Sequence, residues 1–312
     1  METSITVIII IIAVCILLFA IFALVAKKFF GGGTEYDAEY ILRDQPELLE
    51  KVVCGKKDLE KYTPEEVKIM SDDGLSLCGL LYSPEAKTDT TVICMHGYHS
   101  DSKNDFCTAI GYLLGLGFNV LTVSQRAHGK SEGRCLTFGI KEKDDCLQWC
   151  RYAVSRFGDN SKIILDGVSM GAATVTMAAD RSVGLPENVK LIVADSGYSS
   201  PWDIICDFAK RNYHLPAFPT VHILRLVTKI IYGFDIKEGS SVEAVKNTDI
   251  PIFFAHGKAD DFVPYEMAER VSGACASDHL LFSADNAGHA LAFLADSNGY
   301  KAALEKFIKE NL

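Results

Sequence analysis

Three kinds of side chain in this 312-residue chain could together carry out nucleophilic acyl transfer: a serine, an aspartate and a histidine. The serine is Ser169, within Gly167-Val168-Ser169-Met170-Gly171, a G-x-S-x-G pattern. An apolar run precedes it and a small-residue run follows, the strand–sharp turn–helix context in which such a serine is presented as a nucleophile. The turn forces the serine backbone into strain, and side chains at Gly167 or Gly171 would collide with neighbouring backbone. A serine hydroxyl needs a base to take its proton, and the base needs a partner that fixes its tautomer. On a parallel α/β sheet the acid is expected next, then the histidine. His289, in Ala287-Gly288-His289-Ala290, fits as the base; Asp260, Asp261 and Asp285 compete for the acid. The oxyanion of a tetrahedral intermediate needs two N–H donors. Met170, at the start of the helix after the serine, supplies one. The loop His96-Gly97-Tyr98-His99 offers the other at Tyr98, with Gly97 allowing the turn.

These residues need a frame, and the hydropathy pattern supplies one. From Glu65 onward short apolar runs alternate with helical stretches. Val67–Met70 and Leu77–Tyr82 read as an antiparallel pair joined at Asp72-Asp73-Gly74. Thr91–Met95, Asn119–Val123, Lys162–Asp166, Leu191–Ala194, Ile252–Ala255 and Leu280–Ser283 read as further strands. Helices are expected over Phe106–Leu116, Lys141–Phe157 and Asn298–Lys309. The fold class is α/β: a mostly parallel, eight-stranded sheet with helices on both faces. Ser169, the acid and His289 then all lie at strand C-terminal ends, on one rim. About 55 residues separate the strands at Ala194 and Ile252, long for a plain connection. We read 196–249 as a cap or lid whose aromatics, Trp202, Phe208, Tyr213 and Phe218, line a substrate pocket or glue the cap to the core.

Ile5 to Ala26 carries no charge, Pro or Gly. As a helix it would be about 33 Å long, enough to cross a bilayer core. The lack of Lys or Arg before it, its length, and the absence of an A-x-A-like cleavage site argue against a secretory signal. Lys27 and Lys28 follow, and the positive-inside rule then favours a cytoplasmic position for the rest of the chain. The expected organisation is an anchor over 1–28, a linker over 29–62, and a catalytic domain over 63–312. Gly31-Gly32-Gly33 reads as a flexible joint, and the helical spacing of Ile41, Leu48, Leu49 and Val52 as a short spacer helix.

Composition narrows the partners. The net charge of −10 disfavours nucleic acid. No dinucleotide or phosphate-binding glycine motif occurs, so no cofactor is expected. His96 and His99 make only a weak metal pair, and Cys146 and Cys150 lack matching ligands, so no metal is expected either. The ten cysteines, most of them in apolar segments, read as buried free thiols.

The segments HGYHS (96–100), QRAHGKSEG (125–133), LDGVSMGAATV (165–175) and HGKADDFVP (256–264), with GHA (288–290), resemble the α/β-hydrolase family. Its serine aminopeptidase-like and prolyl-oligopeptidase-like branches, which include membrane-anchored bacterial members, are the most similar. The resemblance spans residues 65–312. Its H-G-x-x-D-x-x-V-P pattern places the acid on Asp260. It implies hydrolysis of an ester, thioester or amide. A carboxylic ester of a small or lipid-like acyl group is the leading expectation; a peptidase, an acyltransferase or a silent scaffold are the alternatives. Two positions depart from the family pattern. Ser124 stands where relatives often carry Asp two residues before the arginine, here Arg126, which implies a missing ion pair. Asp166 stands where relatives often have an aromatic or histidine.

Overall fold

A computed structural model describes residues 2–33 and 42–312. Of the expected linker, residues 34–41, Ile41 among them, lie outside the described residues. The strands are β1 (Glu65–Met70), β2 (Ser76–Tyr82), β3 (Thr90–Met95), β4 (Asn119–Val123), β5 (Lys162–Val168), β6 (Val189–Asp195), β7 (Ile252–Gly257) and β8 (His279–Ala284). The first six α-helices are α1 (Glu2–Phe30), α2 (Pro46–Leu59), α3 (Ser102–Asp105), α4 (Cys107–Gly115), α5 (Glu142–Phe157) and α6 (Met170–Ala178). Six more follow: α7 (Pro201–Tyr213), α8 (His222–Tyr232), α9 (Ser241–Val245), α10 (Tyr265–Gly273), α11 (Ala292–Ala295) and α12 (Ser297–Asn311).

Among the described residues eight strands make one sheet in the order β1-β2-β4-β3-β5-β6-β7-β8, with β2 antiparallel to both neighbours. β3 and β7 are buried at every position because helices cover both faces. Alternate residues go to opposite layers, as the period of a strand requires. Val92, Cys94 and Ile164 pack with α4 and α12 through Ile110, Tyr300 and Phe307. Ile93, Met95 and Leu165 pack with α5 and α6 through Trp149 and Val175. Cys146 and Cys150 are in this second layer as core side chains, and among the described residues all ten cysteines are free.

Two local expectations change and one element is added. The helix expected over Phe106–Leu116 is α4, and a short helix that was not expected precedes it. Asp101 accepts from Asn104 N (2.8 Å) and starts α3, and Phe106, at φ −117°, separates it from α4. α2 is not a spacer: Val52 and Leu59 are buried, and Gly55 lies so close to α4 that a Cβ there would stand 2.8 Å from Thr108 Cγ2. The glycines after α1 are not a loose joint either. Leu136 N donates to Phe30 O (2.9 Å), Gly31 pairs with Cys135 as a β-bridge, and a Cβ on Gly32 would overlap the carbonyl oxygen of Ala127. These glycines are small because the backbone of 31–32 lies directly on the backbone of 127 and 135.

α1 is long and apolar enough to cross a membrane, with mean hydropathy 3.6 over its richest window. Its C-terminal end belongs to a third core cluster. Ala26 and Phe30 are fully buried, with Phe30 edge-on to Phe138 (5.5 Å) and Phe234 (5.4 Å). Phe138 is held by its loop: Glu142, fully buried, accepts from Thr137 N, Thr137 Oγ1 and Gly139 N (2.7, 2.5 and 2.8 Å). Replacing Phe30 with Ala should therefore lower the stability of the detergent-solubilised full chain by about 3–5 kcal/mol in chemical denaturation. Leu24→Ala, at a side chain 69% exposed on the same helix, should leave it unchanged.

Candidate active site

The strand-to-helix turn at Ser169 is a strained point of the sheet rim. Ser169 has φ 55° and ψ −113°, a conformation that side chains rarely adopt. Its N–H donates to Asp195 O (2.8 Å), and its C=O accepts from Ala173 N (3.0 Å), so the turn is tied to β6 and to α6. The two glycines are required by contact. A Cβ on Gly167 would overlap Gly171 O, and a Cβ on Gly171 would overlap Met95 O.

The loops after β7 and β8 bring the other two side chains to Ser169. They are laced together: Lys258 N donates to Ala284 O (3.0 Å) and Ala259 N to Ala287 O (3.0 Å). His289 Nε2 lies 2.9 Å from Ser169 Oγ, and His289 Nδ1 lies 2.7 Å from Asp260 Oδ2. Ser196 holds the histidine loop through Ala290 N→Ser196 Oγ (3.1 Å). Of the three carboxylates that competed in the sequence, Asp260 is the one in contact with His289; Asp285 pairs with Lys258 (2.8 Å) and is exposed. The Asp261 carbonyl accepts from Arg211 Nη1.

Asp260 has four donors. Oδ1 accepts from Phe262 N (2.9 Å) and Val263 N (2.8 Å), while Oδ2 faces His289 and His256 Nε2 (3.1 Å). Burial pushes its carboxyl up, but hydrogen bonds from His256 and His289 outweigh that and hold it well below the usual carboxylate range. His256 Nε2 also lies 2.9 Å from Val263 O, so one nitrogen meets the loop backbone and orients the acid. No spacing rule marks this role.

The loop carrying Tyr98 is anchored by groups the sequence did not single out. Gly97 N donates to Asp105 Oδ2 (2.6 Å), His99 N to His128 Nε2 (3.2 Å) and Ser100 N to Gly97 O (3.3 Å). His96 and His128 spend both ring nitrogens on the loops. His96 Nδ1 faces Gly97 O (2.8 Å) and Nε2 accepts from Gln125 N (3.1 Å); His128 Nδ1 faces Arg126 O (2.9 Å). Burial, then the neighbouring His128, pushes the His96 pKa down to about 3, so this ring is neutral at physiological pH. The ion pair expected to be lost with Ser124 is supplied from elsewhere. Arg126 meets Asp145 through two bonds of 2.7 Å and Asp73 through bonds of 2.9 and 3.2 Å. Met170 opens α6, where the first N–H groups have no intrahelical acceptor.

The four aromatics singled out between β6 and β7 divide. Phe208 packs on Phe262 (6.3 Å), which lies against His289 (4.9 Å), and Tyr213 packs on Phe208 (5.8 Å). Trp202 instead lies under Lys237 Nζ (4.0 Å) and beside His222 (5.0 Å); Phe218, 73% exposed, also contacts His222 (5.5 Å). Phe262, whose apolar ring touches His289, stands at a variable position of H-G-x-x-D-x-x-V-P and was not legible in the sequence.

Asp166 is partly buried on β5, level with Cys94 of β3 and Val193 of β6. Burial, then the nearby Asp195, pushes its carboxyl up from 3.8 to about 8. A raised carboxyl means that folding favours the protonated form; its contribution is complete below the unfolded value and is lost as pH rises through the folded one. Asp166→Asn cannot ionise. Thermal melts should show no gain over the parent near pH 4 and a gain that grows as pH rises to about 8.

The family model of the alpha/beta hydrolase fold matches residues 90–215. The chain is similar to the uncharacterized protein YqkD of Bacillus subtilis (strain 168), with 26% identity over 240 residues, 77% of each chain. Among solved structures it is similar to the Pyrococcus furiosus esterase Pf2001, with TM-score 0.63 and 24% identity over 82% of this chain and 93% of that one. Est1E from Butyrivibrio proteoclasticus, solved with ferulic acid bound, superposes with TM-score 0.59 and 21% identity over 77% of this chain and 98% of its own.

Proposed function

The chain is an α/β-hydrolase by fold, and on that premise we propose that it is a membrane-anchored serine hydrolase that cleaves carboxylic esters through an acyl-enzyme on Ser169. One observation carries this reading: the unbroken Ser169–His289–Asp260 chain of contacts, 2.9 and 2.7 Å, at a strained turn. His289 Nε2 takes the Ser169 proton as Oγ attacks the ester carbonyl. The oxyanion is received by the N–H groups of Met170, at the start of α6, and Tyr98, in the loop after β3. His289 then gives its proton to the leaving alcohol. Water, deprotonated by the same nitrogen, releases the acid and restores the serine. Asp260 keeps the Nδ1–H tautomer and stabilises the imidazolium, and His256 keeps Asp260 in place.

An ester is favoured over a peptide by the apolar ring of Phe262 beside His289 and by the esterase named in the similar Pyrococcus furiosus structure. An anchor is favoured over a cleaved signal by the burial of Ala26 and Phe30, whose removal would open the third core cluster. Lys27 and Lys28 favour the cytoplasmic side for the catalytic domain.

Turnover of short-chain p-nitrophenyl esters by the full chain tests the reading. Ser169→Ala and His289→Ala should each lower kcat by at least about 10³-fold, and Asp260→Asn by about 10⁴-fold. Unchanged far-UV circular dichroism would show that the variants fold. Ser169→Ala with undiminished turnover would refute the proposal.

A further inference from the structure

The last turns of the apolar run Ile5–Ala26 are already part of the protein body. Phe22, Ala23 and Ala26 join the cluster that contains Leu224 and Val227, and α1 packs along α8. That leaves Ile5–Ile21 as undocked span, about 26 Å of helix against a hydrocarbon core of about 30 Å. A helix that crosses a bilayer with so little free length draws its docked partner down with it. α8 must then lie at the depth of the headgroups and first acyl carbons.

The outer side of α8 suits that position. Leu226 and Ile230, at i and i+4, are 55% and 62% exposed, and the corner before the helix exposes Leu215 and Phe218. Cations flank this edge: Lys27 and Lys28 are exposed on α1, and Arg225 and Lys229 flank Leu226 and Ile230 in the α8 sequence, both paired with Asp235. Residues 200–237 carry five Lys or Arg against three Asp and no Glu, in a chain of net charge −10. An apolar edge rimmed by basic side chains is the pattern of a surface seated in a lipid interface. From it an aromatic path leads inward, Phe29 to Phe208 (5.4 Å), Phe208 to Phe262, Phe262 to His289.

We propose that the C-terminal turns of α1 and the exposed edge of α8 form one bilayer-docking surface, which presents the Ser169 site at the lipid interface and makes its substrate a bilayer-resident fatty acyl ester. This rests on the anchored-hydrolase reading above. α1 is in this view a structural part of the site, and the aromatic path is the route by which an acyl chain leaves the lipid.

The test uses the full chain reconstituted in phosphatidylcholine vesicles with plain or acyl-chain-brominated lipid. Tryptophan is placed by Leu226→Trp or Ile230→Trp in a Trp202→Phe background. Asn160→Trp, in the exposed loop before β5 at the opposite end of that strand from Ser169, serves as control. The two α8 tryptophans should lose fluorescence to brominated lipid and the control should not. Leu226→Asp combined with Ile230→Asp should slow hydrolysis of a long-chain ester in the vesicles about tenfold. The same variant should keep the parent's turnover of a soluble short-chain ester and its labelling by a fluorophosphonate. If α1 is inserted, as shown by resistance to carbonate extraction, yet neither α8 tryptophan is quenched, docking is refuted. Equal rates of parent and double variant on the vesicle ester refute it as well. A parent that is neither labelled nor active on the soluble ester would instead refute the hydrolase reading, and the quenching result would still decide docking.

Discussion

The turn at Ser169 is the constraint on which the site depends. A buried strand must become a helix within one residue, and that residue must carry the reacting hydroxyl. The space for this exists only because Gly167 and Gly171 bring their backbones against each other and against Met95. A left-handed φ at a non-glycine residue costs of order 1–3 kcal/mol and persists only where its surroundings over-determine it. Here they do: β6 holds the Ser169 N–H, α6 holds its C=O, and α6 is buried at all nine of its positions, Met170–Ala178.

Around that fixed point the other groups are set by loops that hold one another. Asp260 is oriented by two backbone N–H groups and a second histidine before it meets His289. The Tyr98 loop is oriented by a partly buried carboxylate, Asp105, and by His128. Electrostatic preorganisation of this kind needs polar groups whose positions are fixed before substrate arrives. Burial of their partners provides it: His96, His128 and His256 are all nearly inaccessible, and each spends ring nitrogens on loop backbone.

Much of this was readable in the residues, and what was not has physical reasons. Strand alternation and apolar runs located the sheet, since a fully covered strand such as β3 has no polar face to confuse the period. Ser169 and His289 were legible because the sharp turn requires glycines and a parallel α/β sheet sets the chain order of the triad; Asp260 needed the family pattern, because Asp261 beside it has the same chemistry. Arg126 shows the limit of single-position reading: its pair moved from Ser124 to Asp145 and Asp73, which lie far from it in sequence and meet it only in the fold. Gly31 and Gly32 show another limit, because a glycine run looks the same whether it swings freely or, as Gly32 does, lies against Ala127. Phe262 and His256 were missed as site residues since each acts through a contact that no spacing announces.

An activated serine is central to this chemistry, and a covalent adduct measures it directly. The full chain in detergent micelles would be treated with a fluorophosphonate, its intact mass recorded, and the modified peptide mapped. A single adduct is expected on the peptide that contains Ser169, absent from His289→Ala. A folded parent with no adduct, or one modified at a different serine, would contradict it.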